Sequence, residues 1–268
     1  MWLSVKVFLL YWLTVSMFAF TGYSQEKMKI EGAIVLGDSE DTTPEAGTLR
    51  WSGTDFEGWN GLRWVSLTGF AKIGSVTDIE GNIYNTSQIG DQEWMVENLK
   101  VSRLNNNSPI DQITDPTEWQ SLFTPAWCLY DNDTTNESPF GHMYNWFAVS
   151  TGHLCPEGWH IPTTQEWTIL IDFLGGQELA GGKMKEQGTV HWNSPNIGAT
   201  NQSGFTGLPS GSRQNGVFLG LRILGIWWAS NEFNSSIAIM ILLNQMNDDT
   251  LELSIPKTDG NAVRCIKD

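Results

Sequence analysis

The chain has 268 residues, with 15 Lys and Arg against 30 Asp and Glu, a formal net charge of −15. That balance argues against nucleic acid as a partner, since phosphate binding rests on clustered basic residues, and against an anionic membrane surface for the same reason. With 40% apolar and 17% charged residues, and 14 Trp against 5 Tyr, the composition is that of a chain able to bury a core rather than a disordered one.

In chain order, residues 1–24 (MWLSVKVFLLYWLTVSMFAFTGYS) place Lys6 before an apolar run from Val7 to Phe20, followed by small and polar residues. This is the pattern of an export signal, with cleavage expected after Ser24. The bulky Tyr11 and Trp12 keep an uncleaved anchor as the alternative. No Cys stands near the expected cleavage point, so a lipid anchor on an N-terminal cysteine is not expected. The product is expected to be exported: extracellular, at the cell surface or periplasmic.

Residues 25–70 contain short apolar pieces (Ala33 to Leu36, Leu49 to Trp51, Arg63 to Leu67) separated by turn residues, which reads as short β strands. The stretches around Leu49-Arg50-Trp51 and Leu62-Arg63-Trp64 echo each other. So short a segment buries little core alone, so it needs the following domain or copies of itself. It resembles β segments of bacterial surface proteins and phage tail fibres, which implies a stalk and a homo-oligomer formed through residues 25–70.

Residues 71–268 read as one globular unit. Gly74 to Asp78, a turn at Glu80-Gly81-Asn82, Ile83 to Ile89 and Glu93 to Leu99 suggest a hairpin and a third strand, and Val101 to Ser138 is loop-rich. Within that loop Asp131, Asp133 and Glu137 stand at i, i+2 and i+6, a weak pattern for a Ca²⁺ site that lacks the EF-hand glycine; a solvated Asx-turn loop is the competing reading. No other cofactor is expected. A first helix is expected over Gly141 to Ser150. A second runs from Thr164 to Leu174: Thr163 and Glu166 form a capping box, Trp167, Leu170, Ile171 and Leu174 make an apolar stripe, and Gly175-Gly176 stops it. Strands follow at Phe205 to Leu208, Val217 to Leu219, Ile226 to Ala229, Ile237 to Leu243, Leu251 to Ile255 and Ala262 to Ile266. The fold class is α+β. Three cysteines, Cys128, Cys155 and Cys265, make one pair and one leftover the simplest arithmetic, with no zinc spacing among them.

The segments CPEGWHIPTTQEW (Cys155 to Trp167), FGHMYNWFAV (Phe140 to Val149), LAGGKMK (Leu179 to Lys185), ATNQSGFTGLPSGSR (Ala199 to Arg213), WWASNE (Trp227 to Glu232) and AVRCIKD (Ala262 to Asp268) resemble, in order, the Fibrobacter succinogenes major paralogous domain. The resemblance spans nearly all of 71–268. It implies an exported protein of a family whose molecular function is not established. A deeper similarity of GWHIPTTQEW and VRC to the formylglycine-generating enzyme family implies a C-type-lectin-like fold, with two short helices, twisted antiparallel strands and long loops. The family pattern keeps Cys155 and Cys265 and implies a disulfide between them. The oxidase activity would need a second reactive Cys near Cys265, and none stands there. His160, inside the GWHIPT signature, is expected to hold a helix entrance rather than to act as a base.

Ligand-binding candidates come from the late loops and the remaining tryptophans. Trp192 and one of Trp227 and Trp228 are ligand candidates: neighbours on a strand point to opposite faces, so one of that adjacent pair is expected to face away from the core if the strand is one-sided. Arg213, Asn215, Asn231 and Glu232 fall in the region where lectin-like folds put their sites. The expected function is a non-enzymatic binding or adhesion module for a polysaccharide or another cell-surface component. The alternatives are the structural tip of an oligomeric surface fibre and a degenerate relative of the formylglycine-generating oxidases.

Overall fold

The computed structural model describes residues 73–268 and, ahead of them, residues 44, 45, 47–51, 56–59 and 64–66. The expected export signal over 1–24 and most of the segment 25–70 lie outside the described residues. Three short strands of that segment are described: β1 (Leu49–Trp51), β2 (Phe56–Trp59) and β3 (Trp64–Ser66) form an antiparallel meander, a sheet of their own.

The rest is mixed helix and sheet, mostly strand with a few short helices. β4 (Ile73–Thr77), β5 (Ile83–Ile89) and β6 (Gln92–Met95) form the expected hairpin and third strand. The first turn is sealed by Asp78, whose Oδ1 accepts the backbone N–H groups of Glu80 and Asn82, both at 2.9 Å, while Oδ2 accepts the Tyr84 hydroxyl at 2.7 Å. Next come β7 (Asp111–Gln112), α1 (Pro116–Gln120), β8 (Ala126–Cys128), an irregular helical turn at Glu137–Phe140, β9 (Met143–Tyr144) and α2 (Trp146–Val149). Then follow β10 (Trp159–His160), α3 (Thr164–Phe173) and α4 (Gln177–Met184). The last part holds β11 (Ser212–Gln214), β12 (Val217–Leu219), β13 (Leu224–Glu232), β14 (Ile237–Asn244), β15 (Leu251–Pro256) and β16 (Ile266–Lys267). Among the described residues no helix is long and apolar enough to cross a membrane.

The capping box of α3 is present: Thr163 Oγ1 accepts the Glu166 N–H and Glu166 Oε2 accepts the Thr163 N–H. Trp167, Leu170 and Leu174 are buried along one face. The helix expected over 141–150 is confined to α2, because Met143 and Tyr144 pair with Cys128 and Trp127 as a strand instead. α4 was not anticipated, since Gly181 and Gly182 lower helix propensity. Their missing Cβ atoms let α4 press against the backbone of Asp248, Asp249 and Gly198. The expected strands at 205–208 and 262–266 are not regular strands: the isolated bridges Lys185↔Gly207 and Trp227↔Ala262 stand there with the short β16, and Thr206 has φ 53°.

The largest sheet has the order β10-β16-β6-β5-β4, so the end of the chain inserts between strands from its middle and its beginning. The Cys155–Cys265 disulfide ties the same junction, with Cα atoms 6.0 Å apart and 110 residues between them in sequence. In the antiparallel sheet β13-β14-β15 the strands β13 and β14 are buried on both faces, while β15 is largely exposed. Trp228, Ala238 and Met240 belong to one core cluster with Tyr144, Val149 and Val263, while Trp227, Ile241 and Leu243 belong to another with Trp94, Trp167 and Phe205.

Candidate functional site

The residues singled out from sequence do not form a surface site. Trp192, Trp227, Trp228 and Arg213 are each 0% exposed, so no ring among them is presented to a ligand. The premise of a one-sided strand fails because both faces of β13 are covered, and each indole N–H is spent inside. Trp192 donates to Gly207 O at 2.9 Å, Trp227 to Asn98 Oδ1 at 2.7 Å and Trp228 to Tyr144 O at 2.7 Å. The Arg213 guanidinium lies between the Trp119 and Phe218 rings, 4.5 and 4.8 Å from their centroids, and donates to the carbonyls of Ile113, Thr114 and Gly216. It braces a loop.

The other three candidates have structural duties too. Asn215 is exposed, and with Gly216 it makes the β11–β12 turn at φ 49° and 77°, the Asn-Gly signature of a tight hairpin. Asn231 Oδ1 accepts the Thr164 N–H at 2.8 Å and so anchors the start of α3. Glu232 reaches Lys257 Nζ at 2.5 Å. The acidic loop is likewise committed. Asp133 Oδ1 accepts from the Thr135 N–H and hydroxyl, bonds that hold its carboxyl below the usual range, and Glu137 Oε1 lies 2.9 Å from His142 Nε2. Among the described residues Asp131, Asp133 and Glu137 do not gather into a metal-holding cluster. Burial pushes the Cys128 thiol up to about 12, against the opposing pull of Arg213, which leaves it protonated and unreactive at neutral pH.

A groove of about 400 Å³ lies elsewhere, where β6, α3 and β16 meet. The β5–β6 turn supplies one wall: Ile89 pairs with Gln92, leaving Gly90 and Asp91 as the two-residue loop. Gly90 has φ 63°, and a Cβ there would come 3.2 Å from the Phe173 ring, so glycine lets the end of α3 pack on the turn. Gln92 links turn and helix, donating from Nε2 to Glu166 O at 3.0 Å while its Oε1 accepts the Trp94 indole at 3.2 Å. Ile169 and Phe173, one turn apart on α3, are 46% and 48% exposed. Ile169 lines the groove, and Phe173 lies beyond it against Gly90, both away from the buried stripe of α3.

The remaining wall is rich in oxygen. Asp91, Glu93, Glu166 and Asp268 line the groove against a single ammonium, Lys267. Lys267 donates to Glu93 Oε2 at 2.8 Å, and Gln88 Nε2 donates to Gly90 O at 3.1 Å, so each lining donor group has one bond within the protein. What the groove presents is mainly acceptor. Behind it His160 lies between two carboxylates, with Nε2 2.8 Å from Glu166 Oε1 and Nδ1 2.6 Å from Asp268 Oδ1. Burial opposes the charge on this ring, but the bonds to Asp268 and Glu166 prevail and hold its pKa above the ordinary value. Because both nitrogens are engaged, His160 has no lone pair turned toward a substrate, and it holds the helix entrance as expected.

The sequence did carry a signal for this groove: Ile169 and Phe173 are apolar residues at i and i+4 that fall outside the Trp167/Leu170/Leu174 stripe. The contribution of β16 was not readable, because it depends on where the chain end returns. No curated protein and no solved structure matches the chain. The model of the Fibrobacter succinogenes major domain matches residues 88–267, a span that takes in β6, α3, the Cys155–Cys265 bridge and all but the last residue of the groove, and the chain belongs to that family.

Proposed function

We propose that this protein is an exported, non-enzymatic binding module for a hydroxyl-rich, non-anionic polysaccharide, taken in the groove between the β5–β6 turn, α3 and β16. One observation carries the reading: half-exposed Ile169 lines a groove walled by carboxylate and amide oxygens, and half-exposed Phe173 stands one turn further along α3, beside Gly90 of the β5–β6 turn. Sugar rings offer apolar C–H faces to such side chains and hydroxyl donors to such a wall. An anionic polymer would meet four carboxylates and one ammonium in the groove and a chain of net charge −15. Engagement of both His160 nitrogens and the raised Cys128 thiol support a role without covalent or acid–base chemistry. A C-type-lectin-like reading of the fold belongs to the same proposal; it is supported by the return of β16 to the middle of the main sheet and by the bridge across that junction. The test is a glycan array probed with the chain lacking residues 1–24. Signal on neutral or amine-bearing glycans that drops at least about tenfold for Phe173→Ala is the expected result; a blank array refutes it.

A second reading has its own observation. β1, β2 and β3 are three to four residues long and form a separate sheet, too small to bury a core. Stacking of copies through residues 25–70 would supply the missing cover and make the globular part the tip of an oligomeric surface fibre. Sedimentation equilibrium of the same chain should then show self-association that disappears when 25–70 is deleted.

A further inference from the structure

The geometry points to a proton-operated clip on the groove: His160, doubly protonated, fastens Asp268 and with it the outer rim of the groove to the entrance of α3, and loss of one proton releases Asp268. Its consequence for ligand rests on the groove being the binding site proposed above; the clip itself stands on the contacts. A neutral imidazole has one N–H, and it cannot donate to two ionised carboxylates at 2.8 and 2.6 Å at once. Glu166 is the fixed partner, since its Oε2 also accepts the Thr163 N–H and hydroxyl, each at 2.8 Å. Those bonds favour the carboxylate. They hold the Glu166 pKa below its ordinary value although burial acts the other way.

Asp268 is the partner that can leave. Its side chain is 61% exposed against 24% for Glu166, and its backbone is held only from its own N–H to Gly158 O at 3.0 Å. The charged groups around the ring are Glu166 from α3 and Asp268 just after β16, with Lys267 beside the latter and paired across the groove to Glu93 of β6. Freed from His160, the Asp268 carboxylate adds to the negative side of that set and can compete with Glu93 for Lys267. The groove therefore has two arrangements, selected by pH above the ordinary histidine value.

Nuclear magnetic resonance on the intact chain tests this without any ligand. Expected are two protonated ring nitrogens on His160 at pH 6, a midpoint above 6.5, and backbone amide shifts at Gln88, Gln92 and Lys267 that follow that midpoint. In Asp268→Asn the midpoint should fall by about one pH unit, since one carboxylate partner is gone. A single neutral tautomer at pH 6, a midpoint unmoved in Asp268→Asn, or groove amides that ignore the titration would each overturn the clip. A blank glycan array with the titration intact would remove the polysaccharide reading and leave the clip standing.

Discussion

An imidazole wedged between two carboxylates stabilises a fold most while it is charged, and the sign of the pH dependence at His160 follows from that. Its folded pKa is raised, so its contribution is complete below the unfolded value of about 6.5 and is lost as pH rises through the folded pKa. Because the ring and Asp268 are partly solvated, the contribution is expected to be at most about 1 kcal/mol. Urea titrations should therefore show His160→Gln less stable than the parent at pH 6 and equal to it at pH 9; a constant difference at both would assign the residue a packing role. Lys185 shows what full burial changes. Its ammonium donates to the carbonyls of Ile197, Asn244 and Asn247 at 2.6, 2.9 and 2.6 Å, with the Trp192 ring 5.6 Å away. Burial pushes its pKa down to about 8, which leaves it charged at pH 7. Lys185→Met strands three buried acceptors and should cost about 3 kcal/mol at pH 7 in the same assay.

At the scale of elements, α3 and β16 matter most because the groove depends on how they meet. Thr163→Ala removes one half of the capping box and should lower stability by about 1 kcal/mol. Opening the Cys155–Cys265 bridge frees a loop of about 110 residues, and reduction or a double Cys→Ser change should cost about 2–5 kcal/mol. A double variant as stable as the parent would contradict that assignment. The start, the cap and the buried stripe of α3 were all legible, because local residue types set them. So were β5, β14 and β15. α2 and α4 were less legible because tertiary contacts decide them: strand pairing of Met143 and Tyr144 shortens one, and close glycine packing on Asp248 and Asp249 selects the other. The outward-facing tryptophans were misplaced for a similar reason. Alternation along β13 was read correctly, but a strand does not say whether its second face is also covered, and here Trp227 and Trp228 enter different cores.

For the molecule as a whole, the distribution of charge is uneven in a way the total does not reveal. Among the described residues four basic side chains, Lys185, Arg213, Lys257 and Arg264, are buried, against two acidic ones, Asp78 and Asp259. Three of the basic ones are held by backbone carbonyls and aromatic faces. Arg264, for example, sits 4.1 Å from the Phe205 ring centroid and donates to Phe205 O and Asn98 Oδ1, and burial lowers its pKa to about 9. Among the described residues the interior takes two more cations than carboxylates, which shifts their exposed face toward carboxylate and fits a ligand that is neutral or amine-bearing. The most direct measurement of the central claim is the array that sets neutral, amine-bearing and anionic glycans side by side, probed with the chain lacking residues 1–24 and with its Phe173→Ala variant. Binding confined to the first two classes, and reduced at least about tenfold by the substitution, is what the groove predicts; binding to anionic glycans, or binding indifferent to Phe173, would contradict it.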